Sequence, residues 1–135
     1  MKDVRWKQRF ENFEKAYNVF CDALAEHKNN RSNKLYKMAL IQSFEVIYEL
    51  SWKLMKDYLE AAGLIIQEKT PRGTVKEAYA AKIIANGEIW IELINTRNIL
   101  SHVYDEEEAE KALSKIIDFY SNEFVNLYIF FGGKV

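Results

Sequence analysis

A chain with one proline has few places to break a helix. Here Pro71 is the single proline among 135 residues, and only five glycines accompany it. Proline removes a backbone donor and clashes with the preceding turn, and glycine costs backbone entropy, so these two residues are the usual helix stops. Between the sparse stops, apolar residues recur at the helical period. Trp6, Phe10, Phe13, Tyr17, Phe20 and Leu24 step alternately by four and three, which predicts a first helix over about residues 4–27 with one buried stripe. The polar run KNNRSN, Lys28 to Asn33, ends it.

A second helix is predicted over about residues 33–62. Leu40, Phe44, Ile47, Ser51, Leu54 and Tyr58 form one stripe, and Ile41, Tyr48, Trp52, Met55 and Leu59 lie beside it. A surface helix needs only one stripe. This one is therefore either central to its bundle or packed against another subunit. Gly63 suits the position just past its end.

The segment QEKTPRG, residues 67–73, holds the next start signal. Thr70 can cap a helix that begins at Pro71; alternatively Thr74 caps it, with Glu77 as capping-box partner. Either way a short helix runs to about Ala85, and Asn86-Gly87 turns the chain. A fourth helix begins near Glu88, carries Ile89, Leu93, Ile94 and Leu100, and ends close to His102. Asp105 then caps a fifth, with Glu108 reaching back and acids at 106–108 in its first turn, where the helix dipole favours them. Ala109, Leu113, Ile116, Tyr120, Phe124 and Leu127 form its buried side, and residues 130–135 are expected to fray. The expected fold is all-α, an up-and-down bundle of four to five helices in a single domain over residues 1–135.

Composition narrows the class. The chain is 49% hydrophobic and 29% charged, as in a globular protein, and its net charge of −1 argues against nucleic-acid binding by bulk electrostatics. Any nucleic-acid contact must come from a local patch, and no DNA partner is expected. Cys21, the one cysteine, reads as a small buried hydrophobe, and no Cys/His cluster has zinc spacing. The N-terminal MKDVRWKQRF has no apolar h-region, and no uncharged run approaches the ~18 residues of a membrane span. A cytoplasmic protein without membrane contact, metal or cofactor is expected.

The chemistry concentrates in TRNILSHVYD, Thr96 to Asp105. Arg97 and His102 are five residues apart. On a continuous helix that offset is about 140°, so they share a face only if the helix ends between them. With a helix end there, a fixed cation and a titratable imidazole sit together. Such a pair suits phosphodiester chemistry: the histidine moves a proton, the guanidinium forks onto phosphate oxygens, and a ribose 2′-hydroxyl can attack without a metal. A plainer reading stays open, in which Arg97 pairs with Glu92 or Glu106 and His102 caps its helix. Glu45, Glu49 and Lys53 read as an ion-paired face or as a polar rim to the cleft. Arg72 can reach a phosphate or stand idle in its loop. Trp52 and Trp90 read as core or interface aromatics, and His27 has no evident partner.

The string Arg97-Asn98-(three residues)-His102-x-Tyr104 resembles the signature of the HEPN domains, and more narrowly that of the HepT-type toxins. IQSFEVIYELSWKLMKDYLEAAG (41–63), TPRG (70–73) and NGEIWIELINTRNILSHVYDEE (86–107) resemble the nucleotidyltransferase substrate-binding branch of that family. The resemblance implies a dimer whose two Arg/His motifs meet at a cleft. It implies a metal-independent endoribonuclease toxin, held in check by a cognate minimal nucleotidyltransferase as antitoxin. By position, Arg97 would be the phosphate-stabilising cation, His102 the proton-transfer group, Asn98 an orienting residue and Tyr104 the target of AMPylation. Arg72 and Lys53 are weaker candidates for phosphate or nucleotide contacts. An AMP on Tyr104 would bring a negative phosphate and a bulky base beside the Arg/His pair; alternatively Tyr104 is a packed aromatic at a helix junction. The rival functional reading is a non-catalytic accessory subunit that binds nucleotide at the dimer cleft. A third is a helical interaction protein with an accidental motif.

Overall fold

A computed structural model describes residues 2–101 and 105–135. All regular elements in them are helical: α1 (Lys2–Asn29), α2 (Lys34–Ala61), α3 (Pro71–Ala80), α4 (Gly87–Leu100), α5 (Glu106–Lys115), a π-helical turn (Ile116–Tyr120) and α6 (Ser121–Gly132). The last three follow without a break, so they form one long rod with a wide turn in its middle. The expected all-α bundle of four to five helices is therefore what forms.

α1 and α2 make an antiparallel hairpin. At its closed end the Asn33 side chain caps α2, accepting from the backbone N–H of Leu35 at 2.8 Å. At its open end Trp6 meets Tyr58 edge-on at 5.1 Å, and Arg9 Nε donates to Asp57 Oδ2 at 2.9 Å. The rod lies along this hairpin, with Phe124 against Phe20 and Phe44, and Phe131 against Trp6 and Tyr58. α4 runs against the rod in the opposite sense, joined by Trp90 on Phe124 and by Thr96 on Tyr120. α3 packs beside α2 and α4.

The two adjacent stripes of α2 are hidden within one chain. Leu40, Ile41, Phe44, Ile47, Tyr48, Leu54, Met55 and Leu59 are all buried. α2 is thus the central helix, the first of the two expected alternatives, although Trp52 and Tyr58 of the same stripes stay half-buried. Asp57 is buried with them at 2% exposure. A buried carboxylate is costly unless paired, and Arg9 with Lys56 at 3.5 Å supplies the charge.

Local signals explain the connections. Thr70, not Thr74, caps α3: its hydroxyl accepts from Gly73 N at 3.1 Å, while Thr74 lies buried inside the helix. Gly73 has a steric reason to be glycine, because a Cβ there would strike the Glu68 carbonyl and lie 2.8 Å from Glu68 Cβ. α3 stops at Ala80, five residues before the expected end, because Lys82 takes a left-handed φ of 64° and turns Ile83 and Ile84 into the core. Cys21 is half-buried on α1 rather than fully enclosed. The expected frayed tail is also corrected. α6 continues through Gly132, because Phe131 is fully buried between Trp6, Phe10 and Tyr58.

Two measurements check this packing. Phe131→Ala should cost about 3–5 kcal/mol in chemical denaturation, as large-to-small changes of buried phenylalanine do. A loss under ~0.5 kcal/mol would mean the residue is solvated. The second concerns His27, which is buried with its Nδ1 lacking a hydrogen-bond partner among the described residues. Burial, assisted by Arg31, lowers its pKa from 6.5. The folded state therefore binds the proton less well than the unfolded chain. Its contribution to stability is complete above pH 6.5 and is lost as pH falls from there through the lower pKa of the folded state. His27→Gln should flatten the decline in denaturation midpoint as pH falls below about 6.5. An unchanged slope would contradict the assignment.

Candidate functional site

α4 ends between positions 97 and 102 of the motif. Its last residue is Leu100; the Ser101 N–H donates to Arg97 O at 3.0 Å, and the Ser101 hydroxyl donates to Asn98 O at 2.7 Å. On the far side of the junction, Asp105 caps α5 by accepting from Glu108 N at 2.8 Å. Arg97 thus occupies the last turn of α4, and the helix stops before position 102. His102 and Tyr104 lie outside the described residues.

The geometry around Arg97 answers one open question. Neither carboxylate expected as its plain partner takes that role. Glu92 binds Lys115 at 3.2 Å and accepts from the Tyr120 hydroxyl at 3.2 Å, and Glu106 faces Lys34 at 3.8 Å. The Arg97 guanidinium instead lies over the ring of Tyr48 on α2, 5.6 Å from its centroid. Its Nε is sealed from solvent and has no hydrogen-bond partner among the described residues. A half-buried cation without a carboxylate keeps its charge available to an outside anion. Burial pushes the Tyr48 phenol up to about 12, against the opposing pull of Arg97 and Arg72.

The other sequence candidates divide. Asn98 is exposed on α4, one turn from Asn95. Arg72, exposed at the start of α3, donates to the Asn95 side chain, so α3 and α4 are joined on this side. Its charge acts on Tyr48, as that of Arg97 does. Lys53 pairs with Glu49 at 3.1 Å one turn back along α2, the ion-paired face among the two readings offered for it. Trp90 is wholly buried and Trp52 partly so. Among the described residues no group of histidine, cysteine and carboxylate side chains could hold a metal ion.

Sequence reasoning missed two participants. Tyr48 was one apolar position in a stripe, with nothing to show that its ring face meets an arginine from α4. Asn95 was an ordinary polar residue on a helix exterior. A hydrogen-bonded network on another face of α4, buried at Thr96 and Tyr120, was also unforeseen. The Thr96 hydroxyl lies 2.8 Å from the Tyr120 hydroxyl, which in turn donates to Glu92. It ties the turn carrying Arg97 to the π turn of the rod. Tyr120→Phe should lower stability by about 1–3 kcal/mol, since Thr96 would be left buried without its partner. A neutral result in urea denaturation would show that the network does not hold α4.

Comparison with known proteins agrees with the family resemblance. The family model described as "Nucleotidyltransferase substrate binding protein like" matches residues 8–131, nearly the whole chain. A curated protein of Haemophilus influenzae named "Probable ribonuclease HepT" is 35% identical over 82 residues, covering 58% of this chain and 56% of that protein. The matched stretch thus spans little more than half of that relative's length. With a helical bundle and the Arg97-to-Tyr104 motif in hand, the chain belongs to the nucleotidyltransferase substrate binding protein like family, the HepT-like branch of the HEPN domains.

Proposed function

We propose that this protein is a HepT-like toxin: a metal-independent endoribonuclease whose site joins Arg97 and His102. The observation that carries the reading is the state of Arg97. It stands half-buried at the end of a helix over an aromatic ring, and no carboxylate neutralises it among the described residues. A fold that needed Arg97 only for stability would pair it, as it pairs Arg9 with Asp57. The match to the family model, and the similarity to a probable ribonuclease, point the same way.

In this reading the scissile phosphate lies against the Arg97 fork. His102 takes the proton from the ribose 2′-hydroxyl as it attacks phosphorus, and a proton is then delivered to the departing 5′-oxygen. Asn98, exposed one residue on, orients the strand. Arg72, held by Asn95, binds a neighbouring phosphate, with Lys53 a weaker candidate at the rim. Two copies of the chain bring their motifs together across a cleft. Active in the cytoplasm, the toxin is restrained by a cognate minimal nucleotidyltransferase, which transfers AMP from ATP to the Tyr104 oxygen with release of pyrophosphate. The added phosphate would satisfy the cation that RNA needs.

The purified, unmodified protein should cleave single-stranded RNA in EDTA, and His102→Ala should abolish this. Arg72→Ala should weaken RNA binding and shallow the dependence of log affinity on log salt by about one contact's worth. After co-expression with the nucleotidyltransferase, intact mass should rise by one AMP, and Tyr104→Phe should prevent it. If the unmodified wild type leaves RNA intact yet binds nucleotide, the accessory-subunit reading replaces this one.

A further inference from the structure

Tyr48 fills a core position on the central helix, and nothing in the motif or the family description assigns it a task. Its surroundings do. It is 2% exposed, yet one face of its ring carries the guanidinium of a half-buried arginine, 5.6 Å from the centroid. The negative face of a phenol ring attracts a cation, most strongly where water is excluded. Any carboxylate placed there would hold Arg97 equally well but would also neutralise it and compete with phosphate. A ring fixes the plane of the guanidinium and leaves its net charge and its donors for an anion.

The neighbours fit this division of labour. Glu49, the residue after Tyr48, is engaged by Lys53 rather than by Arg97. Glu92 is occupied by Lys115 and Tyr120 on the other side of α4. Asn95, two residues before Arg97, takes Arg72. Glu49, Glu92 and Asn95 thus each have another partner, and the Tyr48 ring is the contact the described residues show for the Arg97 guanidinium.

We propose that Tyr48 is a positioning residue: the face of its ring orients the Arg97 guanidinium toward the bound phosphate while leaving its charge unspent. The proposal rests on the reading of Arg97 as the phosphate-stabilising cation. The ring, not the hydroxyl, does the positioning, so Tyr48→Phe keeps it and Tyr48→Met, with similar bulk but no ring, loses it. The support is felt in the transition state, where negative charge on the phosphate oxygens grows, so kcat should fall more than KM rises.

The test compares wild type, Tyr48→Phe and Tyr48→Met in single-turnover cleavage of a short RNA. It also follows the Arg97 Nε–H resonance by nitrogen-15 NMR. Tyr48→Phe should cleave like wild type, and Tyr48→Met should lose about ten-fold in kcat with KM little changed. The Arg97 resonance should be displaced by the ring current in wild type and Tyr48→Phe and return toward that of free arginine in Tyr48→Met. Full cleavage by a folded Tyr48→Met, or equal losses in both variants, overturns the proposal. Should Tyr48→Met fail to fold, an undisplaced Arg97 resonance in wild type overturns it alone. Wild type that cleaves no RNA removes the ribonuclease reading and this role with it; wild type that cleaves while the ring proves irrelevant removes only this one.

Discussion

Burial of α2 on two adjacent faces is the constraint from which the rest follows. A helix with Leu40, Phe44, Ile47 and Leu54 on one stripe and Ile41, Tyr48, Met55 and Leu59 on the next cannot lie on the surface of its own bundle. Its neighbours must cover it from both sides, and α1, the α5–α6 rod and the α3–α4 pair do so. Because Tyr48 belongs to the second stripe, whatever α4 presents there lands on its ring. The position of Arg97 is thus set by packing several turns away from the motif itself.

The site inherits a second property from the bundle. The carboxylate that the core buries, Asp57, is matched there by Arg9 and Lys56, and the exposed Glu92 is matched by Lys115 and a tyrosine hydroxyl. Arg97 is the exception on α4, held by a π face instead of an anion. The end of α4 at Leu100 and the cap of α5 at Asp105 leave a short junction for the remaining motif residues. Helices thus flank that junction on both sides.

Much of this was legible in the sequence, and for definite reasons. The aromatic stripe of α1, the Thr70-Pro71 start of α3 and the Asp105 cap are local signals, each complete within a few residues. What was not legible depended on contacts between elements. Phe131 read as part of a fraying tail because nothing nearby in sequence shows that Trp6 and Tyr58 await it. α3 read as too long because Ile83 and Ile84 continue an apolar pattern, while the left-handed turn at Lys82 that redirects them has no signature in a lysine. The π turn over Ile116–Tyr120 leaves the apolar stripe unbroken, so periodicity could not reveal it. In the site, Arg97 announced itself through its spacing to His102, but its partner Tyr48 lies 49 positions earlier and looked like core.

The central claim is that a guanidinium and an imidazole act on one phosphodiester without a metal, with the neighbouring ribose hydroxyl as nucleophile. The chemistry of the cut ends reports this directly. Products formed in EDTA should carry a 2′,3′-cyclic phosphate on one fragment and a free 5′-hydroxyl on the other, and a single 2′-deoxy substitution at the cut site should block cleavage there. A 3′-hydroxyl paired with a 5′-phosphate, the pattern of an attacking water, would contradict the account.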